Sequence, residues 1–170
     1  GTLTVDQANA TITDNFTLDS STTNAIDANG NEASFSGVFS NAASGTPGNI
    51  RFENSVIGNN KAITLTGSST YTGTTSIGPR VFLALRGAGS INNSSDLNIE
   101  RGGRLNIQTN AGTAHTLRNV TGGGDLQPNS GATVEINRSG VRFDGRLQTI
   151  PGSVTKTGTE AWTLTNPDSH

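Results

Sequence analysis

The chain has 170 residues, a formal net charge of −2, and a composition that is 31% hydrophobic and 14% charged. The near-neutral charge and the absence of basic clusters argue against a nucleic-acid partner, and no apolar run is long enough to span a membrane. Because the sequence contains no Cys, a disulfide framework and a thiolate metal site are both excluded.

The N-terminal part of the chain predicts short strands separated by turns. Apolar and polar residues alternate in Leu3–Val5, Thr11–Thr13 and Phe16–Leu18, which is the period of a strand with one buried face. Residues 27–32 contain an Asn-Gly pair that favours a turn, and residues 40–49 are mostly Ser, Ala, Gly, Pro and Asn. We predict that residues 40–49 form a loop that leaves the body of the fold.

The rest of the chain repeats this pattern without a stretch of helical period. In residues 97–107, two copies of Leu-Asn-Ile flank Gly102 and Gly103, which predicts a strand, a tight corner and a second strand. The predicted strands are Ile50–Phe52, Ile63–Thr66, Val81–Leu85, Leu97–Ile99, Leu105–Ile107, Leu117–Val120, Val134–Ile136 and Trp162–Thr165.

Apolar residues also recur over a longer distance, in two series with steps of 17 to 21 residues. The first series is Val38, Val56, Ile77, Leu97, Leu117, Val134 and Val154. The second series is Leu65, Leu85, Leu105, Leu126, Leu147 and Leu164. Two registers with one period predict an all-β solenoid, in which stacked coils bury an apolar interior that no single coil could bury alone.

Two longer segments share a further pattern. The first runs from residues 33–38, Ala-Ser-Phe-Ser-Gly-Val, on to residues 63–77, Ile-Thr-Leu-Thr-Gly-Ser-Ser-Thr-Tyr-Thr-Gly-Thr-Thr-Ser-Ile. The second runs from residues 143–147, Phe-Asp-Gly-Arg-Leu, on to residues 152–165, Gly-Ser-Val-Thr-Lys-Thr-Gly-Thr-Glu-Ala-Trp-Thr-Leu-Thr. This pattern closely resembles the transport-associated repeat of autotransporter (type V secretion) passenger domains. The resemblance implies a right-handed single-stranded parallel β-helix (β-solenoid) with roughly 20 residues per coil.

The same resemblance carries expectations about origin and location. It implies a protein that is secreted or displayed on a Gram-negative cell surface after export through the outer membrane. Met is absent even at position 1, so we expect residues 1–2 to be a cloning remnant. We expect residues 3–170 to be a fragment of a passenger β-helix, without the signal peptide or the translocator barrel.

Four arginines recur near the coil period and are the candidate binding residues. Arg80, Arg101, Arg118 and Arg138 are separated by steps of 21, 17 and 20 residues, which predicts a stripe along one side of a rod. Arginine recognises carboxylate and sulfate groups in a bidentate manner, so such a stripe would suit an anionic polymer. Interspersed acidic residues favour the alternative of a mixed, solvated surface.

Other chemistry has weaker support in the sequence, and we predict no catalytic residue, metal site or cofactor. Asp27, Asn29 and Asn31 have the spacing of the first calcium ligands of an EF-hand, but Glu32 stands where the loop needs Gly, so a turn is favoured. Asp125 and Asp144 are about one coil apart and are the acids that stacking could pair in a polysaccharide-cleaving enzyme. His115 is predicted to be an exposed turn residue.

The predicted function is that of an adhesin or self-association module, with no enzymatic activity. The expected partners are host extracellular-matrix proteins, cell-surface proteins or glycans, or further copies of the chain; nucleic acid and membrane insertion are not expected. A passive stalk or folding scaffold is the first alternative. A polysaccharide-cleaving β-helix is the second.

Overall fold

The computed structural model describes residues 1–109, 114–148 and 152–165. These residues form a β-solenoid of about seven turns with about 22 residues per turn, and every pairing between strands is parallel. The described part of the chain contains no helix, and therefore none that is long and apolar enough to cross a membrane.

Each full turn contributes strands to two long sheets, and most turns add a strand on a third side. The first sheet has eight strands in the spatial order β1 (Thr2–Thr4), β4 (Asn24–Asp27), β7 (Ile50–Glu53), β9 (Thr75–Ile77), β11 (Leu97–Ile99), β14 (Val120–Gly122), β17 (Val141–Phe143) and β20 (Trp162–Leu164). The second sheet has seven, in the order β2 (Ala10–Ile12), β5 (Ala33–Phe35), β8 (Lys61–Leu65), β10 (Val81–Gly87), β12 (Arg104–Thr109), β15 (Asp125–Gln127) and β18 (Arg146–Leu147). The third side holds the pair β3 (Phe16–Leu18) and β6 (Phe39–Asn41) and the trio β13 (Thr116–Arg118), β16 (Ala132–Glu135) and β19 (Val154–Thr157).

The core is a set of apolar columns that run along the solenoid axis. Inward side chains of neighbouring strands lie in register, because residues alternate between the two faces of a strand. On the second sheet, Leu83 lies between Ile63 and Leu105, and all three side chains are fully buried. Burial of each such side chain contributes roughly 1.5–3 kcal/mol. The predicted solenoid and its shared interior are therefore confirmed.

The motif at residues 97–107 forms as predicted. Its two Leu-Asn-Ile copies fall in β11 and β12, on the first and second sheets, and both have buried Leu and Ile. Gly102 in the corner has φ +83°, a conformation that side chains with a Cβ rarely adopt.

The predicted period was two residues too short over much of the chain. Ile77 pairs with Ile99 and not with Leu97, and Leu85 pairs with Ile107 and not with Leu105. Because side chains alternate with a period of two, an error of two residues still places the predicted residue on the same face of its strand. Most members of the two series accordingly lie in or against the core. Four predicted stacking pairs are confirmed and the others are wrong; the confirmed pairs are Leu65 with Leu85, Leu105 with Leu126, Leu126 with Leu147, and Leu117 with Val134. Val56 was also misplaced, since it lies 37% exposed between β7 and β8.

Two predicted segment boundaries are also corrected. The predicted loop at residues 40–49 begins later, since Ser40 and Asn41 belong to β6. The predicted strand Leu117–Val120 is two strands, β13 and β14, on different sides of the solenoid. Asn119 forms the corner between them with φ +46°.

Glycines at the corner between the first and second sheets let successive coils approach closely. A Cβ on Gly124 would lie 2.4 Å from the carbonyl oxygen of Glu100 and 2.5 Å from that of Gly103. The adjacent Gly123 is different, because its nearest neighbour would be the Arg101 Cβ at 3.8 Å. The stacking of the coils therefore requires glycine at position 124 but not at position 123.

We expect Gly124→Ala to lower the free energy of unfolding by about 1–3 kcal/mol, because the added methyl group must push two backbone carbonyls of the preceding coil. Chemical denaturation followed by circular dichroism measures the effect. Gly123→Ala is the matched control and is expected to be neutral or slightly stabilising. Equal destabilisation by both variants would contradict this account of the corner.

Candidate functional site

The four predicted arginines do not form a single stripe. Arg80 lies in the corner between β9 and β10, and Arg101 lies in the same corner one coil later, between β11 and β12. Arg118 is in β13 on the third side, and Arg138 follows β16 at the corner that leads to the first sheet. The structure therefore separates the candidates into two pairs on different sides of the solenoid.

The two pairs also differ in their electrostatic surroundings. The Arg118 Nε lies 2.9 Å from Glu135 Oε2, and the Arg138 Nη1 lies 2.9 Å from Asp96 Oδ1. These carboxylates belong to other coils, so each guanidinium is already neutralised within the solenoid. Arg80 donates to the carbonyl oxygen of Asn54 at 2.9 Å. Within the described residues Arg101 is exposed and has no ion pair, so it is the member of the set most available to an anion.

A network on the second sheet contains arginines that the sequence reasoning did not select. Asp125 Oδ2 lies 3.1 Å from Arg104 Nη2 and 2.9 Å from Arg146 Nη2. The three residues are directly paired on β12, β15 and β18, and Arg104 also lies with its Cζ 4.3 Å from the centre of the Phe82 ring. Their spacing of 21 residues with alternating charge is the sequence signal that could have identified them.

The alternation of residues in the predicted strand Val81–Leu85 predicts that Phe82 points outward if Leu83 and Leu85 point inward, and the structure confirms this. Phe82 is half-buried between the buried Val81 and Leu83 and stands in register between Ala62 and Arg104. Ala62, Phe82, Arg104, Asp125 and Arg146 thus form one outward column of the second sheet, called column one below. The parallel column two consists of Thr11, Ser34, Thr64, Ala84, Asn106 and Gln127.

The first sheet carries an ion pair that crosses a whole coil. Arg51 on β7 binds both carboxylate oxygens of Glu100, which lies two coils further along, and the Nη2 to Oε2 distance is 3.0 Å. The guanidinium passes over Gly78, where a Cβ would come within 2.9 Å of Arg51 Nη2. The hydrogen bonds from Arg51 lower the pKa of Glu100, so the carboxylate remains charged and paired.

The acids proposed for polysaccharide cleavage are not paired with one another. Asp125 is in register with Arg146 on the second sheet, whereas Asp144 lies in a corner and binds Thr165 and Arg142. The hydrogen bond from Thr165, followed by that from Arg142, lowers the pKa of Asp144. A general acid needs a raised pKa, so the charge state of Asp144 and the separation of the two acids both disfavour that chemistry.

The segment weighed as a calcium loop is the predicted turn. Asp27 Oδ1 accepts the backbone N–H of Asn29 at 2.8 Å and that of Ser55 at 2.9 Å. Burial opposes ionisation of Asp27, but the hydrogen bonds from Ser55 and Asn29 outweigh it and lower the pKa. In the described ranges no group of three or more His, Cys, Asp and Glu could hold a metal ion.

His115 was predicted to be exposed, and this was wrong. Its side chain is 2% exposed beside β13, and Nε2 lies 2.9 Å from Thr109 Oγ1 at the end of β12. Burial disfavours the charged imidazolium and lowers the pKa of His115. The residue therefore belongs to the interior, and its protonation is linked to unfolding.

Asp125 is expected to stabilise the second sheet because it neutralises two arginines. Asp125→Asn should lower the free energy of unfolding by roughly 1 kcal/mol at low salt, and high salt should reduce this loss. Urea denaturation at two salt concentrations measures both effects. Asp144→Asn is the control and should cost less, since Asp144 is 46% exposed whereas Asp125 is 24% exposed. An equal or larger loss for the control would contradict the assignment.

The stability of the protein is expected to fall as the pH drops below 6.5, the ordinary pKa of histidine. In this range the unfolded chain binds a proton at position 115 and the folded chain does not, so acid favours unfolding by up to about 1.4 kcal/mol per pH unit. The lowered pKa values of Asp27, Glu100 and Asp144 add a separate loss at a lower pH. His115→Gln should flatten the first slope in denaturation at a series of pH values.

His170 provides the control for this experiment, although it lies outside the described residues. His170→Gln should leave the slope below pH 6.5 unchanged. A slope that persists in His115→Gln and disappears in His170→Gln would overturn the assignment to His115.

No protein-family model matches the chain, and neither does any curated protein sequence or any solved structure. The solenoid and the side chains that it displays are therefore the basis on which a function can be inferred.

Proposed function

We propose that this chain is a segment of a secreted, surface-displayed autotransporter passenger and acts as an adhesive or self-association module. The observation that carries the proposal is the outer face of the second sheet, where columns one and two stand in register over consecutive coils. An extended partner that lies along the axis meets one set of contacts per coil. Many weak contacts of this kind add to a useful affinity when they act together.

The partner is proposed to be a host matrix or cell-surface protein, a glycan, or a second copy of the chain. The face is open, and its residues alternate between hydroxyl, amide, aromatic and charged groups, which suits recognition of a polar surface. Most arginines on the solenoid already have a carboxylate partner. A purely ionic mode of binding along all four predicted arginines has correspondingly less support than binding by a mixed face.

A passive stalk is the second candidate, and a specific observation favours it. Ion pairs join different coils at Arg51 and Glu100, at Arg104 and Asp125, and at Arg138 and Asp96. Such pairs stiffen a rod without requiring any ligand. The two functions differ in one respect, because a stalk would bind nothing by itself.

Binding of the purified chain to a panel of matrix proteins, glycosaminoglycans, neutral polysaccharides and itself distinguishes the two functions. We expect saturable binding to at least one member, and we expect Thr11→Val in column two to weaken it. Thr163→Val is the matched control, because Thr163 is also an exposed threonine at the centre of a short strand but lies on the first sheet. Absence of binding across the panel would refute the adhesive function and leave the stalk.

A further inference from the structure

A shallow groove lies on the outer face of the second sheet, across the first three coils. Its volume is about 150 Å³, and the side chains that define it come from β2, β5, β8 and the corners before β2 and β5. They are Asn9, Thr11, Glu32, Ser34, Ala62 and Thr64. None of the four predicted arginines lines this groove, and neither does Arg104 or Arg146.

The groove exists because small residues occupy positions that larger residues fill in later coils. Ala62 is directly paired with Phe82 on the next strand, and Phe82 is followed in column one by Arg104. The Phe82 ring therefore rises at the end of the groove. Column two borders the groove along its length. Its first three members, Thr11, Ser34 and Thr64, are in register and form a continuous row of hydroxyl groups.

The polar groups of the groove are free, whereas those of the later coils are not. Beyond the groove, Asn106 donates to Gln127 at 3.3 Å, and Asp125 binds the two arginines beside it. Within the described residues, no side-chain hydrogen bond involves the Asn9 amide, the Glu32 carboxylate or the hydroxyls of the row. These groups are available to a ligand without first breaking a contact within the protein.

The available groups are those that recognise sugars. A carboxylate and an amide can bind neighbouring hydroxyls, serine and threonine hydroxyls can both donate and accept, and an aromatic ring offers an apolar surface to the C–H face of a sugar. Glu32 is the charged residue of the groove, and no basic residue lines it. The charge therefore disfavours sulfated and uronic-acid polymers.

The spacing of the groups also fits a polymer. Neighbouring strands are about 4.8 Å apart, which is close to the length of one sugar unit in an extended polysaccharide. The contacts repeat from β2 to β5 to β8, so consecutive sugar units can meet consecutive coils. Phe82 then lies at the far end of this track.

We propose that this groove binds a linear, uncharged polysaccharide that lies along the solenoid axis. The inference rests on the proposed adhesive function, for which it names the class of partner. The sugar contacts come from Asn9, Glu32 and the row of hydroxyls, and Phe82 provides the stacking surface. No bond is made or broken in the ligand.

Titration of the whole chain with neutral oligosaccharides of increasing length, followed by calorimetry or NMR, tests the proposal. Affinity should rise with length and level off once the oligosaccharide spans the groove. Ala62→Phe repeats the residue of the next coil and fills the groove, and it should lower the affinity at least tenfold. Glu32→Gln removes the charge without adding bulk and should also weaken binding, which keeps the test valid if the larger residue disturbs folding.

Ser76→Phe is the matched control, since Ser76 is a small outward residue in register with Arg51 on the first sheet. It should leave the affinity unchanged, and circular dichroism should show that all three variants keep the fold.

If the chain binds a ligand of the panel and Ala62→Phe and Glu32→Gln leave that binding intact, the groove is refuted and the adhesive function stands. If the chain binds no ligand of any kind, both are refuted. Binding of heparin in preference to neutral oligosaccharides would overturn the assignment of an uncharged partner.

Discussion

The structure depends on the parallel hydrogen-bond ladder between successive coils. A single coil of about 22 residues has two or three short strands, each of which pairs with strands of the neighbouring coils. One coil alone can neither satisfy the backbone groups of these strands nor bury their apolar side chains. Stacking satisfies both needs at once, because the same register that joins backbone N–H and C=O groups places Leu83 between Ile63 and Leu105. The close approach at Gly124 follows from this constraint, since a Cβ there would displace the carbonyls of the preceding coil.

The ladder also determines the surface. Outward side chains are aligned by the same register as inward ones, so charges from different coils are brought together in pairs. Arg104, Asp125 and Arg146 form one such run, and Arg51 reaches Glu100 only because Gly78 leaves space between them. Consequently, two of the four arginines predicted as binding residues, Arg118 and Arg138, are neutralised by the fold itself. Their ion pairs stabilise contacts between coils whether or not a ligand is present.

The two halves of the second sheet differ in how far their outward polar side chains are already paired, and this difference affects what each half can bind. In the later coils, amides and charged groups bind one another, as Asn106 and Gln127 do. The polar side chains of that surface therefore already have partners within the protein. In the first three coils, the small side chain of Ala62 leaves a groove whose polar side chains, including Glu32, make no side-chain hydrogen bond to any described residue. A rod with both regions can serve as a spacer over one part of its length and as a weak, repeated contact surface over another.

The sequence by itself determined the local features of this protein: strands with one buried face, the strand-corner-strand motif at residues 97–107, the outward direction of Phe82 and the repeat that makes a solenoid. These were predictable because side-chain alternation and glycine corners are properties of a few consecutive residues. The tertiary structure alone decided which residues meet across coils, including the separation of Arg101 from Arg118, the ion pair of Arg138 with Asp96 and the burial of His115. The physical reason is that corner lengths vary: the step between paired residues is 26 from Ala25 to Arg51 but 21 from Phe143 to Leu164. A period read from the sequence therefore averages over the differences that decide each contact between coils.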